Sequence, residues 1–356
     1  MGIVIAILIF GLIVTAHEFG HFVCAKLSGI RVLEFSVGMG PKLLQKTKGE
    51  TKYSLRILPL GGYCAMEGED STNSDPHSFR NAKLWKRMIV LAAGAMMNFI
   101  LGFIAIVIWV CMMRNIGSMV ISEFVKTDAN GTVAEYCAES YETGLRKGDK
   151  LIEIGGTRIY SIIDINYALH DANKNKSYTV LVERDGEKVT LENVVFNNNS
   201  NENGNDPYDF YLTARSKNPL TILQTSGETF MSMTHIIGLS LKQMFSGKLE
   251  KENVSGPVGV VTAISESTED TESLSEIIYN FLYMTALITI NVGIFNLLPI
   301  PGLDGGRLLF CFIELVRRKP VKPEHEGYVH LAGMALLFGI MIFATYNDIV
   351  RLISGG

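Results

Sequence analysis

The sequence predicts a polytopic α-helical membrane protein with four transmembrane helices and a soluble α+β insert between the second and the third. The chain of 356 residues is 47% hydrophobic and 19% charged, whereas about a quarter of the residues of a typical soluble domain are charged. A helix needs an apolar run of about 20 residues to cross a bilayer. Four apolar runs approach or exceed this length: Met1–Ala16, Met88–Met113, Ile277–Leu303 and Leu331–Asn347.

The composition also excludes several classes of protein. A secreted enzyme, a disordered scaffold and a nucleic-acid binder are all inconsistent with this hydrophobicity. The net charge is −4, and the sequence contains no long run of charged residues of one sign. The cysteines follow no disulfide or CxxC spacing, so we interpret them as packing residues. They are Cys24, Cys64, Cys111, Cys137 and Cys311.

The first apolar run is predicted to be a retained membrane helix. A signal peptide has basic residues before its apolar stretch and a small-residue cleavage site after it. Here no Lys or Arg precedes the run, which continues directly into His17–His21. We expect this helix to end near Leu27–Gly29.

The distribution of Lys and Arg predicts the orientation of the helices. These residues are concentrated in segment 26–87 and in the link 307–322, and short cytoplasmic loops are enriched in them. Both segments are therefore expected in the cytoplasm. The N-terminus, segment 114–276 and the C-terminus then face outward, an arrangement that four helices satisfy.

Four regions follow from these patterns. Residues 1–113 form the first part of a membrane core, in which Val32–Val37 and Thr51–Ile57 predict a membrane-associated β-hairpin. Residues 114–215 form an extracytoplasmic α+β domain, and residues 216–276 an amphipathic helix with a linker. Residues 277–356 form the second part of the membrane core.

His17-Glu-Phe-Gly-His21 is an HExxH motif at the end of the first apolar run. On a helix the two imidazoles, four residues apart, lie on one face and can share a Zn²⁺ ion. Glu18 is placed to act as the general base on water. Unpartnered polar groups at this depth are costly, which favours a metal site over side chains that only reach into the headgroups.

A catalytic zinc site needs a third protein ligand. Cys24 suits packing better, and Glu34 lies in a strand-like stretch. Asp304 is the stronger candidate, since it closes Asn296-Leu-Leu-Pro-Ile-Pro-Gly-Leu-Asp-Gly-Gly306, where two prolines break the third membrane helix. The first and third helices run in the same direction, so both histidines and this carboxylate are expected at one depth, toward the cytoplasm. The alternative role for Asp304 is to cap the next helix.

These motifs together resemble the site-two proteases, zinc metalloproteases that cut substrates within the membrane. Gly38–Pro41 with Pro59–Tyr63 is similar to the hairpin of that family, and Gly256–Gly259 to a short motif before the third helix. Ala92–Asn98 is similar to a GPxxN pattern, with Ala95 in place of the proline.

The resemblance also implies roles for individual segments and residues. It implies that the insert is a single PDZ-like domain, as in forms common in Gram-positive bacteria, although the usual Ser-Pro-Ala turn is Glu139-Ser-Tyr141 here. It implies that His17, His21 and Asp304 bind Zn²⁺ and that Glu18 activates water. Asn291 and Asn296 match positions close to the substrate backbone, or else they join helices to each other.

The function expected from this reasoning is an intramembrane zinc metalloendopeptidase. Its partners would be single-span membrane-protein substrates such as anti-sigma factors or remnant signal peptides, the lipid bilayer, and a peptide or protein ligand of the PDZ-like domain. Two alternatives remain at this point: a non-catalytic membrane scaffold that binds partner tails, and a transporter, because broken helices with buried Asp also occur there.

Overall fold

A computed structural model describes residues 2–69, 75–125, 138–170, 176–196, 208–247, 256–269 and 273–354. The chain divides into two compact units: Met1–Ala105 with Gln243–Gly356, and Ile106–Lys242. Among the described cysteines, Cys24, Cys64, Cys111 and Cys311 are free thiols; Cys64 and Cys311 are buried, as packing residues would be, whereas Cys111 is exposed. Cys137 lies outside the described residues.

The N-terminal part of the first unit begins with a long apolar helix. Helix α1 (Gly2–Ser28) ends where the sequence predicted. Strands β1 (Val32–Lys48) and β2 (Thr51–Met66) follow, and then helix α2 (Leu84–Met112). Both helices exceed the roughly 20 residues needed to cross a bilayer.

The predicted hairpin is present, but its strands are longer than expected and bend back so that part of β1 pairs with two segments of β2. The segment Gly38–Pro41 lies inside β1, where Gly38 and Gly40 have φ of +83° and +82° and bend the strand. Residues 34–37 pair on one side with 62–65 and on the other with 52–55. Residues 62–66 therefore form an edge of this small sheet, since among the described residues their strand partners lie on one side only.

The second unit is built on an antiparallel sheet. Its elements, after the end of α2, are β3 (Ile116–Phe124), α3 (Glu139–Glu142), β4 (Lys150–Ile154), β5 (Thr157–Arg158), α4 (Ile162–Leu169), β6 (Ser177–Arg184), β7 (Glu187–Val195), β8 (Phe210–Arg215) and α5 (Pro219–Phe245). The strand order is β7-β6-β4-β3-β8, with β5 paired to β4. Large apolar side chains from the strands and from α4 fill the core, including Phe124, Leu151, Ile165, Val180 and Phe210.

Two buried carboxylates stabilise turns of the second unit. Asp149 receives two hydrogen bonds from the guanidinium of Arg184, at 2.7 and 2.8 Å, and one from the backbone N–H of Arg146 at 2.8 Å. Asp164 completes a capping box with Ser161 at the start of α4. Such pairing is what allows a carboxylate to be buried.

The C-terminal part of the first unit holds two more long apolar helices. Helix α6 (Pro257–Glu269) precedes α7 (Leu274–Leu297), which is followed by α8 (Asp304–Arg317) and α9 (Pro323–Ser354). Helices α1, α2, α7 and α9 are long and apolar enough to cross a membrane. The prediction of a polytopic membrane protein with four such helices is confirmed.

Close helix packing within the first unit prepares the site. A Cβ atom added to Gly20 of α1 would collide with the backbone carbonyl of Ala93 in α2, so glycine lets these two backbones approach. Farther toward the N-terminus, α1 buries Ile9 and Ile13 in a cluster with Ile264 of α6. The result is that the end of α1 carrying the HExxH motif is held against α2.

Candidate metal centre

Two imidazole rings project from one face near the end of α1. The Nε2 atoms of His17 and His21 lie 3.2 Å apart, and the rings meet edge to face with their centroids 4.8 Å apart. The spacing of four residues produces this arrangement, because side chains at i and i+4 share a face of a helix.

A carboxylate from the other end of the unit approaches the same two nitrogens. Oδ2 of Asp304 lies 3.0 Å from one Nε2 atom and 3.2 Å from the other. Helix α7 ends at Leu297 before Pro299 and Pro301, which lack the N–H that would continue the helix. The chain turns through Gly302, with φ of +98°, and α8 begins at Asp304.

Two glycines let this turn fold onto the first residues of α8. A Cβ atom on Gly306 would lie 2.6 Å from the carbonyl oxygen of Ile300, and one on Gly305 would overlap the backbone of Leu297 and Leu298. Any larger residue would push the start of α8 away. The Asp-Gly-Gly sequence therefore sets the position of the carboxylate as well as supplying it.

The three atoms fit a zinc ion. Ligand atoms bound to tetrahedral Zn²⁺ at about 2.0–2.1 Å are about 3.3 Å from one another, and here the separations are 3.0, 3.2 and 3.2 Å. Two imidazoles with one carboxylate are a common donor set for a catalytic zinc ion, which keeps its fourth position open. These residues could hold the metal without rearrangement of the backbone.

The outer nitrogen of His21 is held by helix α2. Nδ1 of His21 lies 2.8 Å from the backbone carbonyl oxygen of Val90. A carbonyl only accepts, so this ring nitrogen carries the hydrogen, which leaves Nε2 as the nitrogen that could bind a metal. Contacts of this kind orient metal-binding histidines in general.

Glu18 lies beside the three atoms without joining them. Its half-buried carboxylate accepts a hydrogen bond from the backbone N–H of Cys64 in β2. The converging group of possible ligands consists of His17, His21 and Asp304. The carboxylate of Asp304 therefore belongs to the group of possible metal ligands, whereas the carboxylate of Glu18 lies beside that group.

All four side chains border one cavity of about 300 Å³. Strand β2 contributes Tyr63, Cys64 and Met66 to its wall, and α9 contributes His330 and Met334. The space is large enough for a short stretch of extended polypeptide. The wall formed by β2 belongs to the strand edge at residues 62–66.

Glu34, considered as a third ligand from the sequence, is engaged elsewhere. Its carboxylate receives hydrogen bonds from Ser54 Oγ at 2.6 Å and Arg56 Nη2 at 3.0 Å. Desolvation would raise the pKa of Glu34, but hydrogen bonds from Ser54, Tyr63 and Arg56 lower it to about 2. Glu34 therefore stabilises the small sheet as a carboxylate.

The two asparagines of α7 are not part of the cavity wall. Asn291 is exposed and Asn296 is partly exposed, and the residues that border the cavity do not include them. Their predicted contact with a substrate backbone remains a prediction.

Sequence reasoning did not assign a role to Val90, Asn98 or His330, which all contact the site or its loop. The backbone N–H of Gly302 donates to Nδ1 of His330 at 2.9 Å. The sequence could have indicated a role for Asn98, because it is a polar residue inside an uncharged apolar run. A backbone carbonyl such as that of Val90 leaves no mark in the sequence.

Comparison with known proteins identifies the family of this chain. The family model of Peptidase family M50 matches residues 5–340. The chain belongs to Peptidase family M50. This membership confirms the resemblance to the site-two proteases, and the chain is an intramembrane metalloprotease that depends on zinc. The scaffold and transporter alternatives are not favoured.

Relatives of the M50 protease cover nearly its whole length. The chain is 34% identical to a protein of Clostridium acetobutylicum named as a candidate zinc metalloprotease, over 98% of this chain and 97% of the other. A protein of Fusobacterium nucleatum with the same kind of name is 31% identical over 99% and 100%. The regulator of sigma-W protease RasP of Bacillus subtilis is 30% identical over 97% of both chains.

Proposed function

We propose that His17, His21 and Asp304 are the zinc ligands of this M50 protease, that Glu18 is its general base, and that its substrates are cut in or beside a transmembrane segment. One observation carries the proposal. The three ligand atoms lie within 3.0–3.2 Å of one another, and the remaining carboxylate, that of Glu18, borders the same cavity.

In the proposed hydrolysis the two carboxylates of the site have different roles, Asp304 as a metal ligand and Glu18 as the general base. Bound at the three ligands, Zn²⁺ supplies Lewis acidity that polarises a carbonyl and makes water a nucleophile near neutral pH. Glu18 takes the proton from water and returns it to the leaving amine. The N–H of Cys64, which faces the Glu18 carboxylate, would orient this side chain for both transfers.

The edge strand at residues 62–66 of β2 is proposed to bind the substrate backbone. A peptide bond inside a helix is protected by the hydrogen bonds of its neighbours, so the substrate helix must open before hydrolysis. The freed N–H and C=O groups then need partners in a dry site. Residues 62–66 offer such partners beside Glu18 by strand addition. Asn291 and Asn296 would supply further amide contacts once a substrate lies against α7.

The substrates proposed are single-span membrane proteins, with the lipid bilayer as the medium in which they are presented. The relative from Bacillus subtilis is named as a regulator of sigma-W, which supports anti-sigma factors as one class. Remnant signal peptides, which have the same single apolar span, are a second. The activity would then be a step of regulated intramembrane proteolysis.

The orientation proposed follows the basic residues. The segment between α1 and α2 and the link between α8 and α9 carry most of the Lys and Arg of the membrane part, so both would be cytoplasmic. The N- and C-termini and the insert would be extracytoplasmic, and the metal site would lie toward the cytoplasmic side.

The insert is proposed to be a PDZ-like domain that selects substrates. The glycine-bounded turn from Gly144 to Asp149 and the antiparallel sheet of residues 116–215 support this assignment. A domain of this kind binds a peptide or protein partner by strand addition. None of the proposed chemical groups lies within it.

Glu18→Gln is the direct test of the assigned chemistry. The variant should keep its zinc, measured by mass spectrometry, while cleavage of a single-span model substrate falls by about 10²–10⁴-fold. Glu192→Gln, the same change at an exposed residue of β7, is the control and should leave both unchanged. Loss of zinc from Glu18→Gln would contradict its role as a base outside the ligand set.

A further inference from the structure

Asn98 of α2 is a fully buried amide beside the metal centre. Its side chain is 0% exposed, and its Nδ2 atom lies 3.3 Å from Nδ1 of His17. The side-chain oxygen of the same residue is buried and accepts no hydrogen bond from the described residues. Burying an amide group without partners costs free energy, so this position calls for an explanation.

The residues of α2 that face the two imidazoles form one stripe, Val90, Gly94 and Asn98. They are spaced four apart and share a helix face. The carbonyl of Val90 contacts one ring and the amide of Asn98 the other. Between them, a Cβ atom on Gly94 would lie 2.7 Å from Nε2 of His17. The rings therefore sit directly over the glycine, with a polar group at either end of the stripe.

A metal-binding imidazole needs an acceptor for its outer N–H. When Nε2 binds the metal, the neutral ring carries its hydrogen on Nδ1. His21 meets this requirement through the carbonyl of Val90. At Nδ1 of His17, the recorded side-chain partner is the amide of Asn98.

An amide can meet the requirement within the space that it already fills. Its oxygen and NH₂ group have nearly the same size, and rotation about the terminal bond exchanges them. No hydrogen bond to the oxygen from the described residues opposes this rotation. The backbone carbonyl of Asn98 also accepts from Thr289 Oγ1 at 3.3 Å, which ties this point of α2 to α7.

We propose that Asn98 is a positioning residue for the metal centre, whose side-chain oxygen accepts Nδ1–H of His17 and keeps Nε2 directed at Asp304. This inference rests on the proposed function, because it takes His17 as a ligand. Asn98 touches neither substrate nor metal. It acts on the affinity for zinc through the orientation of one imidazole.

The experiment compares zinc affinity among variants of the purified full-length protein, measured by competition with a chelator. Asn98→Leu keeps the branching and the number of side-chain heavy atoms and removes the acceptor, and it should weaken zinc binding about 10–100-fold. Asn98→Asp keeps an acceptor at the same place and should bind zinc at least as tightly as the original protein. Thr285→Val, another change of a buried polar residue to an apolar one, should leave zinc affinity unchanged.

A second measurement separates positioning from simple packing. The unfolding temperature of metal-free Asn98→Leu should fall no further than that of metal-free Thr285→Val. Should Asn98→Leu fail to fold, Asn98→Ala removes the amide without added bulk and takes its place in the comparison.

Three results would overturn the inference. They are an Asn98→Leu or Asn98→Ala protein with the original zinc affinity, an Asn98→Asp protein as weak as these variants, and an equal loss of affinity in Thr285→Val. A His17→Ala protein that keeps full zinc affinity would instead overturn the proposed metal site, so the two failures are distinguishable.

Discussion

Nε2 of His17 lies 3.0 Å from Oδ2 of Asp304, although the first residue belongs to the N-terminal helix and the second opens α8 near the other end of the chain. Such a contact brings one basic nitrogen and one carboxylate together at a place where uncompensated polar groups are costly. These two atoms and Nε2 of His21 form a triangle whose sides match the distances between ligand atoms on a zinc ion. The other contacts of the site hold these three side chains in place.

Removal of the carboxylate should remove the metal. Asp304→Ala is expected to lower zinc content to below a tenth of the original and to abolish cleavage, because two ligands rarely hold a catalytic ion. Metal content and cleavage of a model substrate are measured on the same preparation. A fully active Asp304→Ala protein would rule out the assigned ligand set.

A methyl group at Gly94 should disturb the metal centre specifically. A Cβ atom there would lie 2.7 Å from Nε2 of His17, whereas one at Gly102 of the same helix would lie 2.7 Å from a side-chain carbon of Ile290. Both Ala variants should lose about 1–3 kcal/mol of stability from overpacking. Zinc affinity should fall at least tenfold in Gly94→Ala alone, and an equal fall in Gly102→Ala would show a general effect of packing.

The small sheet should lose stability in acid through Glu34. Because the pKa of Glu34 is lowered from 4.5 to about 2 in the folded protein, its contribution is complete above pH 4.5 and is lost as the pH falls from 4.5 toward 2. The loss should be on the order of 1 kcal/mol, since the group is partly solvated.

Thermal unfolding at pH 6 and at pH 3 checks this expectation. The difference in unfolding temperature between the two conditions should be smaller in Glu34→Gln than in the original protein. Glu192→Gln, at an exposed position, should retain the original difference. An unchanged pH dependence in Glu34→Gln would refute the assignment.

Chemical labelling can test the proposed orientation. Single cysteines at Thr47 and Lys319, both exposed, should react in a cysteine-free background only with reagent that reaches the cytoplasm. One at Lys188, exposed in the insert, should react from outside intact cells. Labelling of Lys188→Cys only after the membrane is opened would invert the orientation.

Replacement of the insert should change selection without changing chemistry. With residues 114–215 exchanged for a Gly/Ser linker, zinc binding and cleavage of a short model substrate should persist. Discrimination against substrates that retain a bulky outer domain should weaken. A linker variant that folds and binds zinc but cannot cut the short substrate would make the insert part of the catalytic machinery.

Much of the candidate site could be predicted from the sequence, because the patterns that indicate it lie within short segments. The spacing of His17 and His21 predicts a shared helix face, and two prolines predict a break before Asp304. The expectation that these groups share one depth needed only the direction of two membrane helices. The hairpin was foreseen in outline, but its double pairing at residues 34–37 was not, since a bend at Gly38 and Gly40 decides which strands meet.

The sequence by itself determined the class of protein, the four helices long and apolar enough to cross a membrane, and the kinds of side chain proposed to perform the chemistry. These features depend on apolar length and on spacing within one helix. Only the tertiary structure decided that Val90 and Asn98 meet the outer nitrogens of the two imidazoles and that an edge of β2 borders Glu18. Such contacts join elements distant along the chain, and their geometry follows from how closely the helices pack at Gly20 and Gly94, which no local pattern encodes.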